Sequence, residues 1–182
     1  QAEDGIRDIG VTGVQTCALP ICKKSKEKTV IISNYLLEGS ITSDDIIGLI
    51  KKLKDSDKAT CIEAIEYAST QISTIVDKVL FSFVVNSLNE KAPKIKWECA
   101  KIIGNTVALF PKKLDNAVNY LLVNSEHKGT VVRWATAYAL GEILKLKTKL
   151  NIELLPTIEA IILREENNGV RKKYIDAIKK LK

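Results

Sequence analysis

Trp97 and Trp134 are the only two tryptophans of the chain, and each heads a row of side chains that could contact a ligand. Trp97, Lys101 and Asn105 fall at i, i+4 and i+8, and so do Trp134, Tyr138 and Glu142. On a helix each row shares one face. Lys172 and Asp176 extend the pattern further along the chain. Aromatic rings with lysines between them suit the anchoring contacts of a protein partner. They also suit the base stacking and phosphate pairing of single-stranded nucleic acid. The rival reading is that both indole rings pack between neighbouring helices as core.

A cation stands at one matched place beside each row: Lys96, Arg133 and Arg171. Such a recurring charge either contacts a ligand or forms a structural ladder with acids in neighbouring turns, for which Asp57, Glu90, Glu126 and Glu165 are placed. Exposed pairs of that kind contribute only about 0–1 kcal/mol. The candidate partner-binding residues are Trp97, Lys101, Arg133, Trp134, Tyr138 and Lys172. Other chemistry has little to work with. His127 is the single histidine and stands in a turn beside Lys128 and Gly129, where a solvated side chain is expected rather than a base. There is no phosphate-binding glycine loop, no H-E-x-x-H and no G-x-S-x-G. No catalytic, cofactor-binding or metal-ligating residue is assigned, and no cofactor is expected.

A repeat positions the rows. Ile95, Lys96 and Trp97 align with Val132, Arg133 and Trp134, and Cys99, Ala100, Ile103 and Gly104 with Thr136, Ala137, Leu140 and Gly141, 37 positions on. Val170, Arg171, Ala177 and Ile178 follow Val132, Arg133, Ala139 and Leu140 by 38. Cys61, Ala64 and Ala68 precede Trp97, Ala100 and Gly104 by 36. A period of this size is one helix–turn–helix unit, and its recurrence marks a solenoid. A single helix pair cannot cover its own apolar face, whereas four stacked in register bury a continuous core. The small residues Ala100, Gly104, Ala137 and Gly141 are expected where adjacent helices approach closely.

The first 22 residues stand apart. QAEDGIRD and VTGVQTCALPI each back-translate to adapter sequence, with Ile9 and Gly10 in the place of the index. Residues 1–21 thus resemble a translated Illumina-type sequencing adapter without a break. They lack the basic start and the apolar run of about seven or more that a signal peptide needs. Residues 1–22 are set aside as an artefact, expected to be disordered. The chain has no methionine, so the native start is not visible and repeats before residue 23 are open. Removing Arg7, Glu3, Asp4 and Asp8 turns 28 basic and 22 acidic residues into 27 and 19, and the net charge from +6 into +8. That charge is spread over many short runs, so a solvated surface competes with an acidic partner as its explanation. Of the four cysteines only Cys61 and Cys99 remain, on separate repeats and without disulfide or metal spacing. A reducing, cytoplasmic compartment is the natural setting. No apolar run reaches the ~18 residues of a membrane span, and no membrane partner is expected.

Residues 23–40 read as a basic lead, KKSKEK, and a short apolar capping segment, TVIISNYLL, closed by Gly39 and Ser40. From residue 41 onward helices are expected in pairs at about 43–53 and 58–70, 73–88 and 94–109, 113–124 and 130–147, and 152–164 and 170–181. Ser43 is the expected N-cap of the first. Ile75, Val76, Val79, Leu80, Phe83, Val84 and Leu88 give 73–88 a wide apolar face. Pro156 is expected near the start of its helix, where a missing N–H costs least.

The stretch V-V-R-W-A-T-A-Y-A-L-G-E-I at 131–143 resembles the second-helix pattern of HEAT repeats, V-R-x-x-A-x-x-A-L-G. I-K-W-E-C-A-K-I-I-G-N keeps the pattern with Lys96 for arginine. The fourth unit keeps Val170, Arg171, Ala177 and Ile178 but has Lys179 for glycine, and the first unit keeps only its small residues. The resemblance covers about 41–182. It implies an all-α, right-handed α-solenoid of armadillo type, with about four helix pairs, monomeric and of bacterial type. HEAT proteins are mostly scaffolds whose second helices line a concave binding surface. The resemblance therefore implies a protein-binding scaffold or adaptor rather than an enzyme. The alternative is a nucleic-acid-binding solenoid that uses its basic surface. A minor alternative is a HEAT-like DNA glycosylase for alkylated bases, whose tryptophan, arginine and carboxylate set is echoed by Trp97, Glu98, Arg133 and Trp134, though without the matching aspartate motif.

Overall fold

The computed structural model describes residues 25–181, so the adapter-like residues 1–22 lie outside it. Among the described residues the chain forms nine α-helices and no strand. They are α1 (Ser25–Leu37), α2 (Ser43–Lys52), α3 (Asp55–Gln71), α4 (Lys78–Ser87), α5 (Pro93–Thr106), α6 (Asp115–Asn124), α7 (Thr130–Lys145), α8 (Asn151–Arg164) and α9 (Asn168–Lys179). The second helix of each pair stacks on the next, so α3, α5, α7 and α9 lie side by side in chain order. The first helices form the other layer: α2 packs on α4 and α4 on α6, while α8 closes against α7 and α9. α1 packs on α3 as α3 packs on α5, so the apolar part of 23–40 adds a helix to the second-helix layer. Lys26 and Lys28, expected in a solvated lead, are already helical, and Lys28 pairs with Asp57 at 3.5 Å. The architecture is an all-α solenoid of four helix pairs with α1 ahead of them.

Helix starts follow the caps, and here several expectations change. Thr42, not Ser43, caps α2: its hydroxyl accepts the Asp45 N–H at 3.2 Å, and the Asp45 carboxylate accepts the Thr42 N–H at 3.1 Å. That reciprocal pair is a capping box. The helix expected over 73–88 is broken. Ser73–Ile75 make one 3₁₀ turn, and α4 begins only after Asp77, whose carboxylate accepts the N–H groups of Val79 and Leu80 at 2.9 and 2.8 Å. A good N-cap fixes the start of a helix, and the β-branched run Thr74–Ile75–Val76 is stiff at χ1 and favours extended backbone. Val79 is consequently 52% exposed instead of part of the buried face. Pro156 sits in the second turn of α8 rather than near its start, where its missing N–H leaves one carbonyl of the first turn without its helical partner.

The core runs through both layers without interruption. Phe81 of α4 stacks on Phe110, just past α5, with ring centroids 4.3 Å apart. The second helices meet along small residues. Ala64, Ala68, Ala100, Ala137 and Ala139 are fully buried, and a Cβ on Gly141 would come within 2.8 Å of the Ala177 Cβ. Ala177 has no rotamer by which to retreat, so Gly141→Leu must push α9 away from α7. The expected cost is about 1–3 kcal/mol, seen as a melting temperature lower by several degrees. An unchanged melting temperature would show that this contact does not set the spacing.

Candidate functional site

The rows of Trp97 and Trp134 lie on one face of the second-helix layer. Both indole rings are half-buried, packed on the core along part of their surface. From α5, the Trp97 N–H donates to Glu98 Oε1 at 2.7 Å. The Lys101 ammonium bridges Glu98 and, across the helix boundary, Glu66 of α3, at 3.0 Å each. The two carboxylates are 5% and 8% exposed. Burial alone would push the Lys101 ammonium down, but the Glu66 and Glu98 carboxylates outweigh it and hold its pKa above the ordinary lysine value. One turn on, Asn105 donates to the Ser69 hydroxyl at 2.9 Å and accepts the Tyr138 hydroxyl at 2.9 Å. Hydrogen bonds thus link α3, α5 and α7.

Tyr138 lies against Gly104, leaving no room there for a Cβ. Its ring stacks near Trp134, with centroids 6.4 Å apart and planes at 21°. The Lys173 ammonium of α9 lies 4.4 Å from the Trp134 ring centre and 5.8 Å from that of Tyr138, within cation–π range. Beside this shelf a shallow groove of about 170 Å³ separates α7 from α9, with Glu142, Lys145, Asp176 and Lys180 on its walls. Lys145 pairs with Glu142, and Lys94 with Glu63 at 2.7 Å.

The recurring cations hold the turns instead. Each reaches back to a carbonyl of the turn before its own helix: Lys96 to Leu88 O at 2.9 Å, Arg133 to His127 O at 2.9 Å, and Arg171 to Glu165 O at 3.0 Å. Two also reach forward to the next repeat, Lys96 to Asn124 Oδ1 at 2.9 Å and Arg133 to both oxygens of Glu165 at 2.8 and 3.1 Å. Burial pushes the Lys96 ammonium below its ordinary value, since it has no carboxylate partner. Burial likewise pushes the Glu165 carboxyl up, but the Arg133 and Asn167 hydrogen bonds and the Arg171 charge outweigh it and hold it below the ordinary value.

Of the six candidate residues, Trp97 and Lys101 come together through Glu98, and Trp134 and Tyr138 come together as the shelf. Arg133 is committed to the ladder, its side chain 20% exposed. Lys172 points to solvent, and Lys173 takes the place on the shelf expected of it. His127 braces its own turn, accepting the Gly129 N–H on Nδ1 at 2.9 Å. The sequence reading missed Glu66, Ser69, Asn124 and Lys173. The available signal was spacing: Glu66 and Lys101 are 35 residues apart, and Ser69 and Asn105 are 36 apart, about one repeat.

Two stacked helix layers, small residues along the contact line and a polar ladder at the turns define a HEAT/armadillo-type repeat fold. Solved structures share it. A subunit of the complex of CpcE and CpcF of phycocyanin lyase from Nostoc sp. PCC7120 is similar with a TM-score of 0.64 and 17% identity, over 84% of this chain and 90% of that one. The designed armadillo repeat protein YIII(Dq)4CqI is similar with a TM-score of 0.67 and 18% identity, over 86% of this chain and 75% of that one. At such identities the likeness is one of fold. No family model and no curated protein matches the sequence.

Two outcomes follow from the charges. Lys101→Met strands two buried carboxylates, which should cost about 2–4 kcal/mol at neutral pH. Urea melts should show that loss, and adding Glu66→Gln with Glu98→Gln to Lys101→Met should recover part of it; no recovery would deny the pairing. Glu165 has a folded pKa below its unfolded 4.5. Its stabilisation is therefore present above pH 4.5 and lost as pH falls through the lower folded value. Glu165→Gln should flatten the acid limb of the stability curve, and an unaltered limb would show that Glu165 is not a source of it.

Proposed function

We propose that this chain is a binding scaffold that takes a protein partner on the face of its second helices, with Trp97, Trp134 and Tyr138 as the anchoring side chains and Lys101 held beneath them. One observation carries the reading: three lysines of this face are neutralised where they stand, and Lys173 lies over the Trp134 ring. Lys94 is paired with Glu63, Lys101 with Glu66 and Glu98, and Lys145 with Glu142. What remains for a ligand is half-buried aromatic surface and neutral polar groups, the composition of a protein-binding hot spot. A phosphate-binding groove needs free cations along its length, and this face offers few. The glycosylase reading asks Glu98 to face an extruded base, yet its side chain is 6% exposed and already bonded to Trp97 and Lys101. The phycocyanin lyase neighbour was solved as a complex of two proteins, which accords with a protein partner. The buried free thiols of Cys61 and Cys99 suit a reducing, cytoplasmic setting.

The test is affinity capture with the wild-type chain and with the Trp97→Ala and Trp134→Ala variants, each checked for its melting temperature. A hot spot loses about 2 kcal/mol or more when truncated, or about thirtyfold in affinity. Proteins retained by the wild type should therefore be lost from variants that remain folded. Equal retention by both variants would remove the second-helix face as the binding surface.

A further inference from the structure

The two edges of the solenoid differ in charge. At one edge the first helix of each pair turns into the second, and the connections 53–54, 88–92, 125–129 and 165–167 hold three lysines against four glutamates. All three described arginines are bonded there: Arg133 and Arg171 on Glu165, and Arg164 on Glu126. At the opposite edge, where second helices end, the connections 38–42, 72–77, 107–114 and 146–150 and residues 179–181 hold two carboxylates, Glu38 and Asp77. They hold six lysines in pairs, Lys112 with Lys113, Lys147 with Lys149, and Lys179 with Lys180, every one exposed. None of the six has an ion-pair partner among the described residues.

These ends lie along one edge because α5, α7 and α9 stack in order. The turn Val107–Leu109 packs on α7, and Lys145 and Lys180 wall the same groove. Exposed aliphatic side chains share the edge: Val79 is 52% exposed, Leu109 41% and Ile152 76%. Val79 and Leu109 border one open, largely apolar groove. The connections carry no arginine, and their one aromatic, Phe110, is 9% exposed.

Six unpaired like charges along one edge repel one another and call for an anionic surface. Nucleic-acid sites favour arginine forks for bidentate phosphate contacts and aromatics for base stacking. Lysines as point charges with aliphatic side chains between them match anionic headgroups over an acyl boundary. We propose that this edge docks the protein peripherally on an anionic lipid bilayer. Among the described residues no helix is long and apolar enough to cross a membrane, and a peripheral contact requires none. The edge adjoins the second-helix face, with Lys180 on the wall of the groove between α7 and α9.

The test is sedimentation of the full chain with phosphatidylcholine vesicles, with and without about one third phosphatidylserine, in a salt series. Binding should require phosphatidylserine and weaken strongly towards ~0.5 M salt, where the Debye length falls to about 4 Å. Each lysine at the surface contributes about fivefold in partitioning, so K112Q/K113Q and K147Q/K149Q should each lower it at least tenfold. The opposite-edge control K54Q/K128Q should stay within about twofold of wild type on the same scale. Ile152→Ser should weaken vesicle binding without changing the melting temperature. Absence of phosphatidylserine-dependent binding at low salt overturns the proposal, as does binding indifferent to both lysine pairs. Binding of a DNA oligonucleotide that depends on the same lysines and ignores Ile152→Ser, without vesicle binding, assigns the edge to nucleic acid and also overturns it.

Discussion

The second helices can stand only as close as the residues between them permit, and that spacing governs what their outer face presents. Gly141 meets Ala177 where a Cβ would come within 2.8 Å, and Gly104 lies directly beneath the Tyr138 ring. At that spacing Lys101 reaches a carboxylate on the preceding helix, and the Tyr138 hydroxyl reaches Asn105. Larger residues on the contact line would separate the rows before they altered either row. The shelf of Trp134, Tyr138 and Lys173 is thus a product of the spacing that two glycines and an alanine set.

Close packing alone leaves open how one helix is registered against the next, because a line of alanines and glycines slides easily. The polar groups resist sliding. Glu66 and Glu98 share one ammonium in a nearly closed setting, and a slipped register would leave buried carboxylates alone, at several kcal/mol. The turn ladder acts in the same way at the other end of the helices. Arg133 can fork onto both oxygens of Glu165, whereas Lys96 at the matched place meets a neutral Asn124 and pays for its burial with a lowered pKa. The difference in cation follows the difference in partner: the planar guanidinium fits a carboxylate, and the single ammonium fits a carbonyl and an amide.

The repeat was legible because packing between units demands the same small and apolar residues at the same places, so Trp97, Ala100 and Gly104 recur as Trp134, Ala137 and Gly141. What escaped were features that one local side chain decides. Asp77 starts α4 late and turns 73–75 into a separate turn, although the apolar pattern runs on through both. Lys173 displaced Lys172 from the expected place because the shelf is reached by a long side chain from the neighbouring helix, not by the residue at the matched position. Partners such as Glu66 with Lys101 belong to two different repeats, and a single-helix pattern does not pair them. A search for opposite charges one repeat apart would have.

Charge separation between the two edges has a mechanical origin. The edge where first helices turn into second ones carries the ladder, and Lys96, Arg133 and Arg171 are each consumed there in joining a turn to its own helix or to the next repeat. Glu165 and Glu126 accompany Arg133 and Arg164 there, because partly buried charges need partners, and near neutrality is the result. The opposite edge is closed by apolar contacts instead: Phe81 on Phe110, and Val107–Leu109 on α7. Carboxylates serve folding there only as helix caps, Asp45 on α2 and Asp77 on α4. Its lysines are therefore free of structural duty and exposed, while the aromatic face between the edges is nearly neutral. Folding thus confines compensated charge to one edge and leaves the surplus on the other.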